Sequence, residues 1–531
     1  MPDTLGVEKM KIVFVAVSVP ALQQVGEFEK RYRRSWPEGD LAVECFYVAG
    51  REAQYLADPG KLQEAVRTAD VAVIDTMGVS EKMQETVRMA LERCEGERIV
   101  IGNTLREYLR LGSFSMSAMG KKKKKKETEQ EGKKEQKQKG NVLDKMHKMR
   151  RMALMLGNVM PFGVTRDMKN VFLLIDYWQQ ATKEDISSFF YLLLRQYGKQ
   201  KFLPKEKPCT MEYGIYLKDP DTLECCADVK KYWEKRKYQK EKDTIAVLFY
   251  GHSYPNDFLP VVRAITRELE GRYNILPVAF SQNEDGDLEK LEEIVCQNVS
   301  PVAAIINLMP FRLGAGPMGG DAKRAVEILE RADVPYLKPF SLTKVTLDEW
   351  KSSAGVNPGE FLISILLPEL DGGILSMPVG VMGESRDGGL PRLIPDRERI
   401  QTLGKRLEGL VNLQKKNNSE KRVAIVFYNY PPGESNVFGG AFLDTFASAS
   451  GLLQQMKEAG YCTDEMAPEK LREAFVTGGN CNCPEWYDEN EKKLNGIVNG
   501  NVFLGLQPVR QENVDRQEPA EGYHDRNRKP T

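Results

Sequence analysis

The sequence predicts a multidomain α/β protein, in which several Rossmann-like parallel-sheet units are joined by a helical segment. In three parts of the chain, short β-branched runs alternate with amphipathic helical patterns, which is typical of parallel strands covered on both faces. The length of 531 residues exceeds what one hydrophobic core usually serves, so several domains are expected. Between the first two repeating parts, residues 142–240 show mainly helical patterns.

Composition argues against several functional classes. The 76 basic and 76 acidic residues cancel, so no net charge attracts nucleic acid or an anionic membrane. No apolar run approaches the roughly 20 residues that span a bilayer, and residues 10–24 predict a first strand, not a signal peptide. The nine cysteines and three histidines lack the spacing of zinc sites or of a disulfide framework. We expect a cytoplasmic protein with no resident metal, no nucleic-acid partner and no membrane span.

The N-terminal α/β domain is predicted over 1–118. Its expected strands cover 11–19, 41–50, 70–77 and 97–103, and its expected helices cover 26–36, 59–69 and 80–94. Residues 119–141 contain six consecutive lysines and few apolar residues, which predicts a disordered insert. Within the helical segment 142–240, helices are predicted over 142–161 and 185–198, and the aromatic face of the second is expected to be core.

A second α/β domain, with a Gly-rich loop, is predicted over 241–395. Its expected strands cover 243–254, 273–282, 301–309 and 334–340, and its expected helices cover 257–271, 287–297 and 321–332. Three further parts follow: a helical linker (396–420), an incomplete α/β domain (421–510) and a polar tail (511–531). The incomplete domain is expected to contain a strand over 421–432, a helix over 439–461 and a strand over 501–508. Open α/β sheets bind ligands outside the carboxyl ends of their strands, so functional residues are expected there.

The glycine loop "RLGAGPMGGD" (312–321) has the spacing of a dinucleotide-binding turn. Three features argue against a dinucleotide: the next strand ends in "YLKPF" without a carboxylate, Pro317 lacks an N–H, and Asp321 would repel a pyrophosphate. The sequence also lacks the GxxxxGK[ST] motif of a phosphate-binding loop. Arg312 is either a partner for ligand carboxylates or a surface arginine on a tight turn.

Three long stretches then carry a specific resemblance. Residues 307–340 ("NLMPFRLGAGPMGGD…"), 346–372 ("…LLPELDG") and 422–461 ("RVAIVFYNYPPGESN…") resemble the cobaltochelatase large subunit, CobN, and its relative, the large (H) subunit of magnesium chelatase. The resemblance is good over about 240–510 and moderate over 143–240.

That resemblance implies an ATP-dependent chelatase subunit, a ligase that forms nitrogen–metal bonds. It would bind a tetrapyrrole and insert a divalent metal, either Co²⁺ into a corrin (hydrogenobyrinic acid a,c-diamide) in cobalamin biosynthesis or Mg²⁺ into protoporphyrin, with cobalt preferred. The metal is a substrate, and ATP would be hydrolysed by separate AAA+ partner subunits, in agreement with the missing phosphate-binding loop.

The resemblance also implies substrate-binding positions, although no catalytic residue is assigned. The positions matching the family motifs are Asn307, Arg312, Gly314, Gly316, Gly319, Gly320, Asp321, Pro368, Glu369, Asp371, Gly372, Asn429, Tyr430, Pro431, Pro432, Asn436 and Asp444. Glu369 and Asp371 are possible bases or metal ligands, or "PELDG" is a strand-end turn with Asp371–Gly372 supplying its geometry. Residues 429–432 are either a ligand-lining loop or a rigid turn.

Departures from the family pattern raise an alternative. Leu217 and Lys218 stand where the family has His-Pro, Gln511 replaces an expected glycine, and Thr531 ends the sequence where family members continue. We therefore expect the N-terminal half of a chelatase subunit, inactive without the remainder and the ATPase partners. The competing hypothesis is a non-catalytic tetrapyrrole-binding or scaffold protein.

Overall fold

A computed structural model of the chain describes residues 10–37, 41–102, 104–117, 142–209, 212, 214–251, 257–281, 287–296, 301–316, 319–383, 390–427, 438–440 and 442–477. The chain divides into two compact units, Met1–Glu408 and Gly409–Thr531. The expected Lys-rich insert, the strand over 501–508 and the polar tail lie outside the described residues. The finer domain boundaries given above stay predictions. No helix in the described ranges is both long and apolar enough to cross a membrane.

The first sheet contains the strands predicted at the N-terminus and two short additions. Its strands are β1 (Met10–Ala16), β2 (Leu41–Tyr47), β3 (Val71–Asp75), β4 (Glu97–Ile101), β5 (Arg110–Leu111) and β6 (Phe114–Ser115), and its helices are α1 (Val19–Ser35), α2 (Glu52–Ala57), α3 (Gly60–Arg67) and α4 (Glu81–Leu91). In the order β2-β1-β3-β4-β5-β6, β1 to β4 are parallel, whereas β5 and β6 are antiparallel. The expected parallel sheet is therefore confirmed for its four long strands only.

The helical segment completes the core of this sheet. It contains α5 (Val142–Val159), α6 (Gly163–Gln180) and α7 (Lys183–Gln196), of which α6 is absent from the sequence prediction. Phe14 of β1 stacks on Trp178 of α6 with ring centroids 5.4 Å apart. Phe28 of α1 stacks on Phe190 of α7 at 4.2 Å. The expectation that the aromatic face of 185–198 is core is confirmed, since Phe189 and Phe190 are fully buried.

The second sheet positions the candidate site. This region contains β7 (Ile215–Lys218), β8 (Cys225–Cys226), α8 (Val229–Arg236), β9 (Thr244–Tyr250), α9 (Leu259–Leu269), β10 (Asn274–Phe280), α10 (Asp287–Cys296), β11 (Val302–Asn307), β12 (Ala315–Gly316), β13 (Gly319–Gly320), α11 (Ala322–Ala332) and β14 (Tyr336–Leu337). The sheet order is β14-β11-β9-β10-β7-β8. The first four strands in that order are parallel, and β7 and β8 are antiparallel. The carboxyl ends of β14, β11 and β9 thus lie side by side.

A third, smaller sheet is not predicted by the sequence. It contains β15 (Phe340–Thr346), β16 (Pro378–Met382) and β17 (Leu393–Pro395), and between β15 and β16 lie α12 (Leu347–Ser352), α13 (Pro358–Phe361), a π-helical turn (Leu362–Leu366) and α14 (Leu367–Glu369). The strand expected over 334–340 is therefore divided between β14 and β15. Lys344 of β15 donates a hydrogen bond to the carbonyl of Gly78, 3.0 Å away, so this sheet contacts the loop after β3.

The second unit is mainly helical in its described part. Helix α15 (Arg397–Lys415) crosses the boundary between the units, and α16 (Thr445–Glu458) and α17 (Pro468–Thr477) follow. The strand expected over 421–432 is not formed in its described part, since 421–427 adopt no regular structure. A strand needs a hydrogen-bonding neighbour, and the described residues of this unit contain none. Phe438 is buried against Phe475, with ring centroids 4.7 Å apart.

Candidate functional site

The candidate site is built first on Asn307, the last residue of β11. Its side chain is buried; Nδ2 donates to the hydroxyl of Tyr336 at 2.6 Å, and Oδ1 accepts from the backbone N–H of Met309 at 2.8 Å. A buried amide needs such partners because leaving them unpaired is unfavourable. Asn307 therefore fixes the start of the glycine loop against the neighbouring strand.

Arg312 and Asp371 form the charged centre of the site. The Arg312 Nε donates to Oδ1 of Asp371 at 2.7 Å, and the backbone N–H of Leu313 donates to Oδ2 at 2.8 Å. The Asp371 side chain is fully buried, whereas that of Arg312 is 30% exposed. Arg312 is therefore no isolated surface residue: an internal carboxylate orients its guanidinium, and part of that group still faces solvent.

The "PELDG" segment forms a turn, but after a helix and not after a strand. Asp371 and Gly372 follow α14, and Gly372 has φ 79°, a left-handed conformation that suits glycine. Glu369, two residues earlier, is exposed. The two carboxylates proposed as bases or metal ligands thus lie in opposite environments and do not form a pair.

Lys338 lies beneath these residues and is absent from the sequence-based set. Its side chain is completely buried after β14, and Nζ donates to the carbonyl of Asn307 at 3.3 Å and to that of Met309. Burial lowers the pKa of Lys338 to about 7, although the Asp371 and Glu360 carboxylates oppose the shift. A lysine inside the apolar run "VPYLKPF" is the signal that could have identified it.

The glycine loop is a small hairpin. Strands β12 and β13 pair antiparallel, and the residues between them lie outside the described ranges. Gly314 has φ 70°, and a Cβ there would lie 3.0 Å from the carbonyl oxygen of Asp321. Asp321 caps α11 by accepting from the backbone N–H of Arg324 at 2.9 Å. Since this carboxylate occupies the helix N-terminus where a pyrophosphate would bind, the geometry agrees with the argument against a dinucleotide.

A polar face of the helical segment 358–369 points inward. The Glu360 carboxylate is buried and accepts from the hydroxyl of Ser364, and burial raises the pKa of Glu360. The backbone N–H of Phe311 donates to the carbonyl of Ile363 at 2.7 Å. The glycine loop is therefore attached to the π-helical turn, a feature that often occurs at functional sites.

The remaining motif positions belong to the second unit of the chain. Asp444 is in the second unit, where it caps α16 by accepting from the backbone N–H of Ala447 at 2.9 Å. Asn429, Tyr430, Pro431, Pro432 and Asn436 lie outside the described residues.

The positions that depart from the family's His-Pro pattern are structural. Leu217 is fully buried in β7, and the Nζ of Lys218 donates to the carbonyl of Gly251 at 2.6 Å. Burial also lowers the pKa of Lys218. Position 217 is thus an apolar core position without an imidazole.

Neither clefts nor metal-type clusters mark another site in the described part of the chain. One surface cleft of about 180 Å³ lies between α3 and α4 of the N-terminal sheet region, lined mainly by polar and charged residues such as Glu64 and Arg67. The described residues hold no group of three or more His, Cys, Asp or Glu side chains arranged for a metal ion.

The sequence is similar to proteins of one known family. A sequence model of the CobN/magnesium chelatase family matches residues 175–495. The chloroplastic magnesium-chelatase subunit ChlH of Oryza sativa subsp. indica is 26% identical, over 95% of this chain and 40% of its own length. The aerobic cobaltochelatase subunit CobN of Pseudomonas aeruginosa is 25% identical, over 66% of this chain and 31% of its own length.

A solved structure gives a weaker similarity. The catalytic subunit of cobaltochelatase from Mycobacterium tuberculosis aligns with 89% of this chain and 33% of its own, at 19% identity and a TM-score of 0.46. The chain thus spans two fifths or less of the length of these proteins. Because the family match covers more than half of the sequence, the chain belongs to the CobN/magnesium chelatase family.

Proposed function

We propose that this chain is the tetrapyrrole-binding part of the large subunit of an ATP-dependent metal chelatase, with Co²⁺ as the metal inserted into a corrin ring. The observation that carries the proposal is the family match over 175–495, which includes the Asn307, Arg312, Lys338 and Asp371 cluster at the carboxyl edge of the second sheet. Such an edge is where open α/β sheets bind ligands.

The chemistry assigned to the cluster is recognition of the ring. A corrin precursor or a porphyrin is a broad apolar ring with polar or acidic arms, and its site needs apolar walls with a few oriented polar groups. Asp371 holds the Arg312 guanidinium in one direction, and Asn307 and Lys338 fix the loop that carries it. Arg312 would bind an acidic arm through its remaining N–H donors.

Deprotonation of the ring is not assigned to a residue of this cluster. Metal insertion releases two pyrrolic protons and requires a positioned base. Asp371 is held by Arg312 and Leu313, and Lys338 is completely buried, so neither faces a bound ring. We propose that the chain by itself binds the ring without inserting the metal. The remaining length of the relatives and AAA+ ATPase subunits would complete the reaction, in the cytoplasm.

Cobalt is the favoured metal, and magnesium is the alternative. The wording of "FRLGAGPMGGD" and "NYPPGESN" favours the cobalt branch, whereas the rice magnesium-chelatase subunit aligns with nearly the whole chain. A non-catalytic tetrapyrrole-binding protein is a second candidate, favoured by Leu217 at the family's histidine position.

The test is direct binding followed by reconstitution. Purified chain is titrated with hydrogenobyrinic acid a,c-diamide and, separately, with protoporphyrin IX, while ring absorbance and tryptophan fluorescence are recorded. We expect saturable binding, tighter for the corrin. Absence of any spectral change would refute the proposal. Metal insertion by the chain alone, with Co²⁺ and ATP, would contradict its assignment as a binding part only.

A further inference from the structure

The helical segment 358–370 buries a polar pair and leaves three leucines exposed. Glu360 and Ser364 are buried and hydrogen-bonded to each other. On the opposite face, Leu362, Leu366 and Leu370 are 45%, 42% and 59% exposed. Their spacing of four residues places them on one side of a helix. A helix normally buries its apolar face, so this outward leucine stripe is suited to contact something outside the described fold.

A cation is paired with the residue that follows the leucine stripe (Leu362, Leu366 and Leu370) in the chain. The glycine loop is attached near one end of the helix through Phe311 N–H and the carbonyl of Ile363, 2.7 Å apart, and near the other end through Arg312 and Asp371. Ile363 and Asp371 each follow a leucine of the stripe by one residue. Arg312 is thus paired with the residue that directly follows Leu370 in the chain, and 30% of its side chain is exposed.

We propose that the leucine stripe is the surface on which one face of the tetrapyrrole ring lies, with Arg312 binding an acidic arm at its edge. This inference rests on the proposed function and adds the contact surface. Eight residues of helix span about 12 Å, the scale of a single flat ring. The combination of an apolar stripe with an oriented guanidinium matches an apolar ring that carries carboxylate or amide arms.

The size of the stripe argues against a protein partner as its main occupant. A stable protein–protein interface buries roughly 800 Å² on each partner. Three half-exposed leucines supply only a small part of that area.

The experiment compares Leu366→Glu with Leu413→Glu in the full chain. Leu413 is a matched control because it is 47% exposed on helix α15, away from the stripe in the sequence. Both variants are checked for folding by circular dichroism and for self-association by sedimentation. Each is then titrated with hydrogenobyrinic acid a,c-diamide. We expect Leu366→Glu to weaken binding roughly tenfold or more, Leu413→Glu to bind like the unchanged chain, and Leu366→Met to retain affinity because it keeps an apolar side chain.

The possible outcomes separate the two proposals. If the unchanged chain binds the ring and both glutamate variants bind equally well, the stripe is not the contact surface, although the proposed function stands. Equal weakening by both variants also overturns the inference, since the effect is then general repulsion of an anionic ring. If Leu366→Glu changes only self-association, the stripe contacts a second copy of the chain and the inference is wrong. Lack of binding by the unchanged chain refutes the proposed function itself.

Discussion

Replacement of Asp371 by alanine tests whether the charged centre of the site is also a structural element. The carboxylate is fully buried and accepts hydrogen bonds from Arg312 and from the backbone N–H of Leu313. In Asp371→Ala both donors lose their acceptor. The two residues lie 58 or more positions from Asp371 in the chain, so the change removes a tertiary connection between the glycine loop and the turn after α14.

The expected loss in the free energy of unfolding is about 3 kcal/mol. A buried donor left without an acceptor contributes about 1–3 kcal/mol, which applies to the Leu313 N–H. Breaking a buried ion pair costs about 3–5 kcal/mol. The lower end applies here because Arg312 is 30% exposed and water can solvate its guanidinium once the carboxylate is gone.

Urea unfolding, followed by circular dichroism and tryptophan fluorescence, measures the effect. Glu369→Gln is the matched control, since this carboxylate is exposed and only two residues away; it should change stability by less than about 0.5 kcal/mol. If Asp371→Ala and Glu369→Gln unfold at the same urea concentration with equal slopes, the buried pair does not stabilise the loop and our interpretation of the site is wrong.

Four further substitutions test individual features of the fold. Burial lowers the pKa of Lys338 to about 7 in the folded chain, so between that pH and the ordinary lysine pKa the unfolded chain binds more protons than the folded one. The free energy of unfolding should therefore rise with pH above 7. Lys338→Met should reduce that rise, as measured by denaturation curves between pH 7 and 9. Gly314→Ala should destabilise the chain by about 1–2 kcal/mol because φ is 70° and the added Cβ meets the Asp321 carbonyl. Gly26→Ala, in helix α1 with open space around it, should stabilise the chain by about 0.5–1 kcal/mol. Melting temperatures equal to that of the unchanged chain would contradict both predictions. Asp444→Ala should destabilise by about 1 kcal/mol through loss of the α16 cap, and an unchanged helical signal on heating would show that the cap is dispensable.

The regular elements of the first unit could be predicted closely where their patterns are strong. Strands β1, β3, β9 and β11 are continuous apolar runs, and each was expected within a few residues of its observed bounds. Helix α6 was missed although its pattern is amphipathic, since buried Asp167, Asn170 and Asp176 interrupt its apolar face. The small sheet β15–β17 was missed because its strands are distant in sequence, and their pairing depends on the fold around them.

The candidate site residues, like the regular elements, could be predicted only in part. The glycine and aspartate positions were recognised from their motif, but burial could not be inferred from it: Glu369 is exposed and Asp371 is buried, two residues apart. Lys338 escaped attention because a single lysine at the end of a strand is normally solvated. The outward position of the leucines in 358–370 also needed the structure, since an amphipathic pattern does not state which face turns inward.

The sequence by itself determined the α/β class, the family and the positions of the motif residues, because hydrophobic periodicity and long ordered matches are local properties of the chain. Only the tertiary structure decided that Asp371 holds Arg312 across 59 positions, that Lys338 donates to two backbone carbonyls, and that three leucines of one helix face outward. Burial and partner geometry depend on segments distant in sequence meeting in space, and those contacts set the charge, direction and accessibility of each side chain.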